Sequence, residues 1–175
     1  MRHGEGMQED ADREDGSALP EEQAQRAPDT ARELKARALR LLMRREHSRM
    51  QLGARLAPFA ESPAAVEALL DELVQRKLLS EDRMAEQRAH VLSRKYGVAR
   101  IRQDLKAKGV AEDAIVRVAA EAQSTELARA TEIWRRKFRE PAADPAGRAR
   151  QMRFLASRGF SGEVIRKVLA AAGDD

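Results

Sequence analysis

A stretch of twenty residues occurs twice in this chain, fifty positions apart. Residues 99–118 read ARIRQDLKAKGVAEDAIVRV, and residues 149–168 read ARQMRFLASRGFSGEVIRKV. The identical pairs are Ala99/Ala149, Arg100/Arg150, Leu105/Leu155, Gly109/Gly159, Ile115/Ile165 and Val118/Val168, and like charges are exchanged at Lys108/Arg158, Asp113/Glu163 and Arg117/Lys167. Self-similarity at a fixed period indicates a helical array that is built from repeated units.

Each copy has the pattern of a helix, a tight stop and a second helix. Ile101 and Leu105 are four residues apart, as neighbours on one helix face are. A cation and Gly109 follow, which is the order typical of a helix end whose last residue adopts the left-handed conformation. Ile115 and Val118 then face inward from the next helix. Two helices of this size cannot bury their own apolar faces, so several units must pack side by side.

The composition favours an all-α fold. The chain has 175 residues, of which 42% are hydrophobic but only 3% aromatic, so its core must be built from Leu, Ala, Val and Ile. It contains no cysteine, which excludes disulfides and thiolate chemistry and suits a cytoplasmic protein. No apolar run approaches the roughly 18 residues that a membrane span needs.

Helix start signals divide the chain into three predicted three-helix repeats, at residues 29–79, 80–123 and 124–175. Thr30 (or Asp29), Ser48, Ser62 and Ser80 are expected to cap helices, and Pro58 is expected to end or kink the second one early. The helix from Ser80 is expected to run to about Tyr96-Gly97. The residues expected to face the core include Val66, Leu69, Leu70, Leu73 and Val74 in the first repeat and Leu127, Ala130, Ile133, Trp134 and Phe138 in the third.

The charge is distributed unevenly along the chain. Nine acids and three bases give residues 1–30 a charge of −6, which leaves +10 for residues 31–175 of the total of +4. Residues 1–28 hold scarcely any large apolar side chain, so we expect a disordered acidic leader. A solvating role is favoured for this leader, and intramolecular competition for the basic surface is the alternative. A basic body favours an anionic partner, such as nucleic acid or an acidic protein groove, over a merely solvated surface.

The motifs along residues 31–170 resemble, in order, the RecX family of bacterial recombination regulators. The matching segments are ALRLLMRREHSR (38–49), Leu52, Leu56, LLDEL (69–73), LLSEDRMAE (78–86), YG (96–97), RIRQDL (100–105), KGV (108–110), RQ (150–151), FL (154–155), RGFS (158–161) and VI (164–165). Three positions depart from the family pattern: Met84 replaces an aromatic residue, Lys77 a common glycine, and Val98 a proline. These changes concern packing and turn geometry more than function.

The resemblance implies a regulator of RecA, the recombinase that polymerises on single-stranded DNA. Members of the family bind in the groove of the RecA filament and restrain its growth, strand exchange, ATP hydrolysis and coprotease activity, and so regulate DNA repair and the SOS response. Their fold is an elongated, curved array of three-helix repeats. On this basis we expect a cytoplasmic monomer without cofactor or enzymatic activity, whose partner is the RecA filament and which binds DNA itself weakly at most.

A set of basic residues forms the candidate contact surface for RecA or DNA. Its members are Arg44, Arg45, Arg49, Arg94, Lys95, Arg100, Arg102, Lys106, Lys108, Arg148, Arg150, Arg153 and Arg158, with His47 beside the first three. Arg100 and Arg150 hold equivalent repeat positions, as do Lys108 and Arg158, so a regular array would align them in rows. For Lys108 and Arg158 the alternative is stabilisation of a helix C-terminus.

The sequence carries no recognisable catalytic or metal-binding constellation. His3, His47 and His90 lack metal-ligand spacing, and no GxxxxGK[ST] phosphate loop is present. His47 beside Ser48 is expected to pack at a helix junction, Trp134 to lie in the core in preference to stacking on a base, and Tyr96 to close a helix end. The alternative function is direct DNA binding, as a repressor or architectural factor, which sequence-selective duplex affinity without RecA would favour.

Overall fold

The computed structural model describes residues 27–173, and this part of the chain forms nine α-helices and no strand. The helices are α1 (Ala31–Arg44), α2 (Arg49–Leu56), α3 (Pro63–Gln75), α4 (Glu81–Ser93), α5 (Val98–Ala107), α6 (Glu112–Ser124), α7 (Glu126–Phe138), α8 (Pro145–Ser157) and α9 (Gly162–Gly173). A single 3-10 turn, Ala57–Phe59, follows α2 at the predicted Pro58 stop. The all-α prediction is confirmed, whereas the predicted disorder of the leader lies outside the described residues.

The predicted caps begin the first four helices. The Thr30 and Ser48 hydroxyls accept from the Glu33 and Gln51 amides, and both form complete capping boxes. The Ser62 and Ser80 hydroxyls accept from the Ala65 and Arg83 amides and so cap α3 and α4. The predicted end of α4 was three residues too long: the helix stops at Ser93, because the Lys95 and Tyr96 amides both turn back to the Leu92 carbonyl.

Each group of three successive helices encloses its own hydrophobic cluster, which confirms the three-helix repeats. The largest fully buried side chains are Leu52, Leu56, Leu70 and Leu73 in the first repeat, Ile101, Leu105 and Ile115 in the second, and Leu155 and Val168 in the third. Trp134 is only 2% exposed, so its predicted place in the core is confirmed. The boundaries at residues 29, 80 and 124 stay predictions.

Two residues that were expected in the core lie at the surface. Val74 is 46% exposed, because it lies about 90° around α3 from the middle of the inward face, which is formed by Val66, Leu69, Leu70 and Leu73. Leu127 is 42% exposed, because Glu126 occupies the inward position in the first turn of α7. Assigning both to the apolar face was therefore wrong.

Three helices, α3, α5 and α8, are followed by a short turn that contains a residue in the left-handed backbone conformation. Gly109 and Gly159 have φ of 71° and 81°, as their predicted role as stops requires. Lys77 adopts φ of 58° after α3, where its amide donates to the Val74 carbonyl and the next two amides donate to the Leu73 carbonyl. A side chain in this conformation costs about 1–2 kcal/mol, which glycine avoids.

Replacing Lys77 with glycine is therefore expected to stabilise the protein. Strain is relieved in the folded chain, while the added freedom of the unfolded chain offsets part of the gain, so we expect about 0.5–1 kcal/mol more unfolding free energy. Urea titration followed by circular dichroism measures the change. The matched control is Lys108→Gly, which removes a lysine at φ of −89° and is expected to destabilise. Equal effects of the two substitutions would contradict the strain assigned to Lys77.

The second repeat docks on the first at the amino terminus of α2. The Ser48 hydroxyl, which caps α2, donates to the Lys108 carbonyl at the end of α5 over 2.5 Å. The carboxylate of Glu81, the first residue of α4, accepts from the Arg49 amide at 3.3 Å and from the Ala111 amide at 3.0 Å. Gly109 lies so close to the Met50 side chain that an added Cβ would be 2.8 Å from its Cβ. One carboxylate and one carbonyl therefore join the two repeats.

The third repeat docks on the second through the same arrangement. The Gly97 amide at the start of α5 donates to the Arg158 carbonyl at the end of α8 over 2.9 Å. Glu126, the first residue of α7, is 4% exposed and accepts from the Val98 amide at 2.8 Å. A Cβ on Gly97 would lie 2.3 Å from the Gly159 carbonyl oxygen, so the close approach requires glycine there. Glu81 and Glu126 thus hold equivalent places at successive junctions.

Substituting Glu126 is expected to weaken the junction between the second and third repeats. Alanine leaves the half-buried Val98 amide without the acceptor that the buried Glu126 supplies, which costs about 1–3 kcal/mol, whereas Glu126→Gln keeps a carbonyl oxygen there and should cost less. Thermal unfolding monitored by calorimetry gives both values. Glu121→Ala, at an exposed position of α6, serves as the control. Similar losses for Glu121→Ala and Glu126→Ala would argue against a bridging role for Glu126.

Candidate functional site

The repeat predicts a row of cations on α5 and α8, and the structure exposes one arginine at the equivalent position of each helix. Ile101 and Leu105 are buried on α5, and Gln151 and Leu155 are buried at the equivalent positions of α8. Arg100 and Arg150 follow the same register and are both exposed. The two helices therefore present an arginine from the same position of successive repeats.

The first repeat does not extend this row. Its buried pair on the second helix is Leu52 and Leu56, which places Gln51 at the position of the two arginines. The Gln51 side chain instead accepts from the Ser48 amide at 3.2 Å and completes the cap of α2. The row of equivalent arginines thus spans the second and third repeats.

Three of the predicted contact residues lie along the first half of α8 in the third repeat. Arg148, Arg150 and Arg153 are exposed along the first half of α8, and none forms an ion pair with another residue between 27 and 173. Arg150 and Arg153 are one helical turn apart, so their guanidinium groups project from one side of the helix. Arg150 and Arg153 are thus placed to meet an anionic surface together, whereas Arg148 projects from a different side of α8.

Arg49 and Arg102, two of the predicted contact residues, form ion pairs within residues 27–173. Arg49 pairs with Glu67 at 2.5 Å and Asp71 at 2.8 Å, and these acceptors raise the pKa of its guanidinium. Arg102 pairs with Glu112 at 3.0 Å. These ion pairs join α2 to α3 and α5 to α6, so Arg49 and Arg102 have a structural role whether or not they also contact a partner.

Arg100 and Arg158 contact aromatic rings as well as polar groups. The Arg158 guanidinium lies 4.5 Å from the centre of the Phe154 ring and donates to the Lys95 carbonyl at 3.2 Å, which ties α8 to the second repeat. The Arg100 guanidinium lies 5.9 Å from the Tyr96 ring and remains exposed. Cation–π contact restricts the guanidinium without neutralising its charge.

The remaining candidates are distributed over the first two repeats. Arg44, Arg45, Arg94, Lys95 and Lys106 are exposed, and Lys108 is half-buried at the first repeat junction. They lie on α1, α5 and the turns after α1 and α4, so the structure does not gather all thirteen positions into one compact site. The candidate surface is extended, as a repeat architecture predicts.

A basic cluster at the end of α7 was missed in the sequence. Arg135, Arg136, Lys137 and Arg139 fall within five residues and are all exposed, and Arg136 pairs with Glu132 on the same helix. The Gln151 side-chain amide donates to the Glu140 carbonyl at 3.0 Å, which holds the loop that follows α7 against α8. The run RRKFR is the sequence signal for this cluster, but it lies outside the repeated segments that predict the cations of α5 and α8.

His47 lies at the junction of α1 and α2, as predicted. It is 1% exposed, its Nδ1 lies 2.9 Å from the Arg45 carbonyl oxygen, and its Nε2 has no partner within the described chain. Burial lowers the pKa of its imidazole. The adjacent Ser48 hydroxyl donates to Lys108, so these two residues do not form a nucleophile and base pair. Among residues 27–173 no three His, Cys, Asp or Glu side chains are grouped to bind a metal ion.

The buried His47 is expected to make stability fall as the pH drops below about 6.5. The unfolded chain protonates at the ordinary imidazole pKa, but the folded chain resists protonation, so acid favours unfolding. The free energy of unfolding should be constant from about pH 8 to 7 and decrease towards pH 5. His47→Gln should flatten this profile even where it lowers stability overall, whereas His90→Gln, at an exposed site, should leave it unchanged. A pH-independent wild type would contradict the assignment.

The fold and surface define a class of protein: a helical array of three-helix repeats that exposes cations on consecutive units. Family models match both of the last two repeats, the second three-helix domain of RecX over residues 80–118 and the third over residues 124–169. The chain belongs to the RecX family. No helix within residues 27–173 combines the length and apolar character that crossing a membrane requires.

Sequence relatives and solved structures agree with this assignment. Regulatory protein RecX of Leptothrix cholodnii is 50% identical over 139 residues, which cover 79% of this chain and 88% of the relative. Regulatory protein RecX of Chromobacterium violaceum is 49% identical over 142 residues, which cover 81% of this chain and 92% of the relative. The crystal structure of RecX from Lactobacillus salivarius superposes with a TM-score of 0.74 at 12% identity, covering 83% of this chain and 97% of that one. At that identity the superposition supports the fold alone.

Proposed function

We propose that this protein binds the RecA filament on single-stranded DNA, along its groove, and restrains the ATPase, recombinase and coprotease activities of RecA. The proposal rests on membership of the RecX family of regulatory proteins. The single observation that carries it is the pair Arg100 and Arg150, which two successive repeats expose at the same register. The protein would thereby regulate DNA repair and the SOS response.

An extended row of cations suits a helical polymer better than a small ligand. A filament presents the same acidic side chains and DNA phosphates again and again along its groove, and a repeat array presents its arginines with a matching regularity. Each contact is weak and screened by salt, but several contacts formed together bind firmly and orient the array. Guanidinium groups suit this role because they bind carboxylates and phosphates bidentately.

The proposed regulation acts through the partner's active site. A monomer in the groove would hinder the changes between RecA subunits that accompany ATP hydrolysis, so it needs no catalytic group of its own. RecA works in the bacterial cytoplasm, and we propose the same location for this chain. Direct contact with DNA is proposed only as a weak addition to binding of the filament.

Replacing Arg100 and Arg150 together by glutamine tests the proposal. DNA-dependent ATP hydrolysis by RecA should fall on adding substoichiometric wild-type protein, and the double variant should need about tenfold more protein for half-inhibition, equivalent to a loss of about 1.4 kcal/mol. The matched control is Arg117→Gln with Lys167→Gln. These residues also occupy equivalent repeat positions and are exposed, but both have ionic partners within the chain: Lys167 pairs with Glu163 on its own helix, and Arg117 pairs with Asp113 on its own helix and with Asp82 on α4.

Two outcomes would count against the proposal. If equimolar wild-type protein leaves ATP hydrolysis unchanged, filament regulation is excluded. If both double variants weaken inhibition equally, net charge and not the arginine row determines binding. Sequence-selective binding of duplex DNA at physiological salt in the absence of RecA would instead favour a repressor.

A further inference from the structure

The acidic residues that precede the described chain are concentrated in one short run. Residues 9–15 read EDADRED and hold five acids and one base, in the same molecule whose residues 31–175 carry +10. Glu9, Asp12 and Asp15 recur every third residue, so in an extended segment their carboxylates are about 10 Å apart. The run therefore offers regularly spaced anions to any basic surface within its reach.

The structure fixes the point at which this segment joins the first repeat. The Asp29 amide donates to the Phe59 carbonyl at 2.7 Å, and the Asp29 carboxylate accepts from the Arg37 guanidinium at 2.8 Å. That guanidinium lies 3.6 Å from the centre of the Phe59 ring. Asp29 and Arg37 are partly buried, whereas Ala27 and Pro28 are exposed, so the described chain begins at the surface beside the first turn of α1.

The outer face of α1 carries cations that have no ionic partner in residues 27–173. Arg32 and Arg40 are exposed and two turns apart, with Cα atoms about 12 Å apart along the axis, and Arg45 is exposed just past the helix end. Opposite this face lie the buried Leu34 and Ala38. The arginine spacing along α1 is thus close to that of every third residue in an extended acidic segment.

The acidic run can reach the whole of this face. Eleven positions separate Asp15 from Arg26 and can span up to about 37 Å, whereas the fourteen residues of α1 extend over about 21 Å. A tethered segment has an effective concentration on the order of 1 mM, so even a weak ionic contact is populated. Arginine pairs with carboxylate side chains in this way without a preformed pocket.

We propose that the acidic run at residues 9–15 binds to the basic outer face of α1, at Arg32, Arg40 and Arg45, and competes there with the anionic partner. The contact stands on charge and geometry alone, while its regulatory consequence rests on the proposed binding of the RecA filament. The segment would act as an intramolecular anion that a high local density of phosphates or acidic side chains displaces. Binding would then be favoured on an assembled filament over scattered anions.

Paramagnetic broadening in the full chain tests the contact without RecA or DNA. The chain has no cysteine, so Ser17→Cys provides a single attachment point for a nitroxide two residues after the run. At low ionic strength we expect broadening of the amide resonances of Arg32, Arg40 and Arg45 but not of those on α9. The broadening should disappear at about 1 M salt, where the Debye length is about 3 Å.

Neutral substitutions in the full chain test whether the broadening depends on the acidic run itself or only on the net charge of the residues around it. Glu9→Gln, Asp12→Asn and Asp15→Asn together should abolish the broadening and lower the half-inhibitory concentration for RecA ATP hydrolysis about threefold. The matched control, Glu5→Gln with Glu21→Gln and Glu22→Gln, removes the same charge outside the run and should retain most of the broadening.

The outcomes distinguish this inference from the proposed function. Absence of broadening at low salt, or equal broadening over all three repeats, overturns the contact. Broadening together with an unchanged half-inhibitory concentration in the run variant overturns the competition. Broadening together with a wild-type protein that never inhibits RecA supports the contact but rejects the proposed function, and with it the competition that rests on that function.

Discussion

The array depends on the amides at the start of α2 and α5, the second helices of the first two repeats. These amides have no acceptor within their own helices. A helix leaves its first amides without partners inside the helix, and in a small repeat these groups lie next to the following unit. Here the following unit supplies the acceptors: Glu81 for the Arg49 amide and Glu126 for the Val98 amide. A repeat is therefore completed by its neighbour, and burial of apolar side chains is only part of what holds the array together.

The second helix of the third repeat begins differently from that of the second. The Asp144 carboxylate accepts from the Gly147 amide at 2.8 Å and caps α8 locally. Gly147, which is equivalent to Gly97, thus lies inside the first turn of α8 and not at the helix start. No side chain caps α5 at Gly97, so α8 has from within its own repeat an acceptor that α5 lacks.

The sequence predicted the features that depend on neighbours in the chain. Ser48 caps a helix three residues from its partner, and Gly109 ends one by its own backbone freedom, so both could be read locally. Glu81 lies in the first turn of α4, where a negative charge is favourable, and this is its local role. Its carboxylate also bridges amides 32 and 30 positions away, and no local pattern reports such a contact.

The junctions also fix the candidate surface. An added Cβ on Gly159 would lie 2.8 Å from the Arg100 Cβ, so the end of α8 packs directly against a residue of the proposed contact row. The separation between Arg100 and Arg150 is consequently set by the same contacts that join the repeats. The exposure of Arg100 and Arg150 could be predicted from the sequence, because the apolar positions of the repeat include Leu105 and Leu155 on the opposite side of each helix. The position of one arginine relative to the other could not be predicted in this way. A preorganised row loses less entropy on binding, so a loosened junction would weaken partner binding even with both arginines intact.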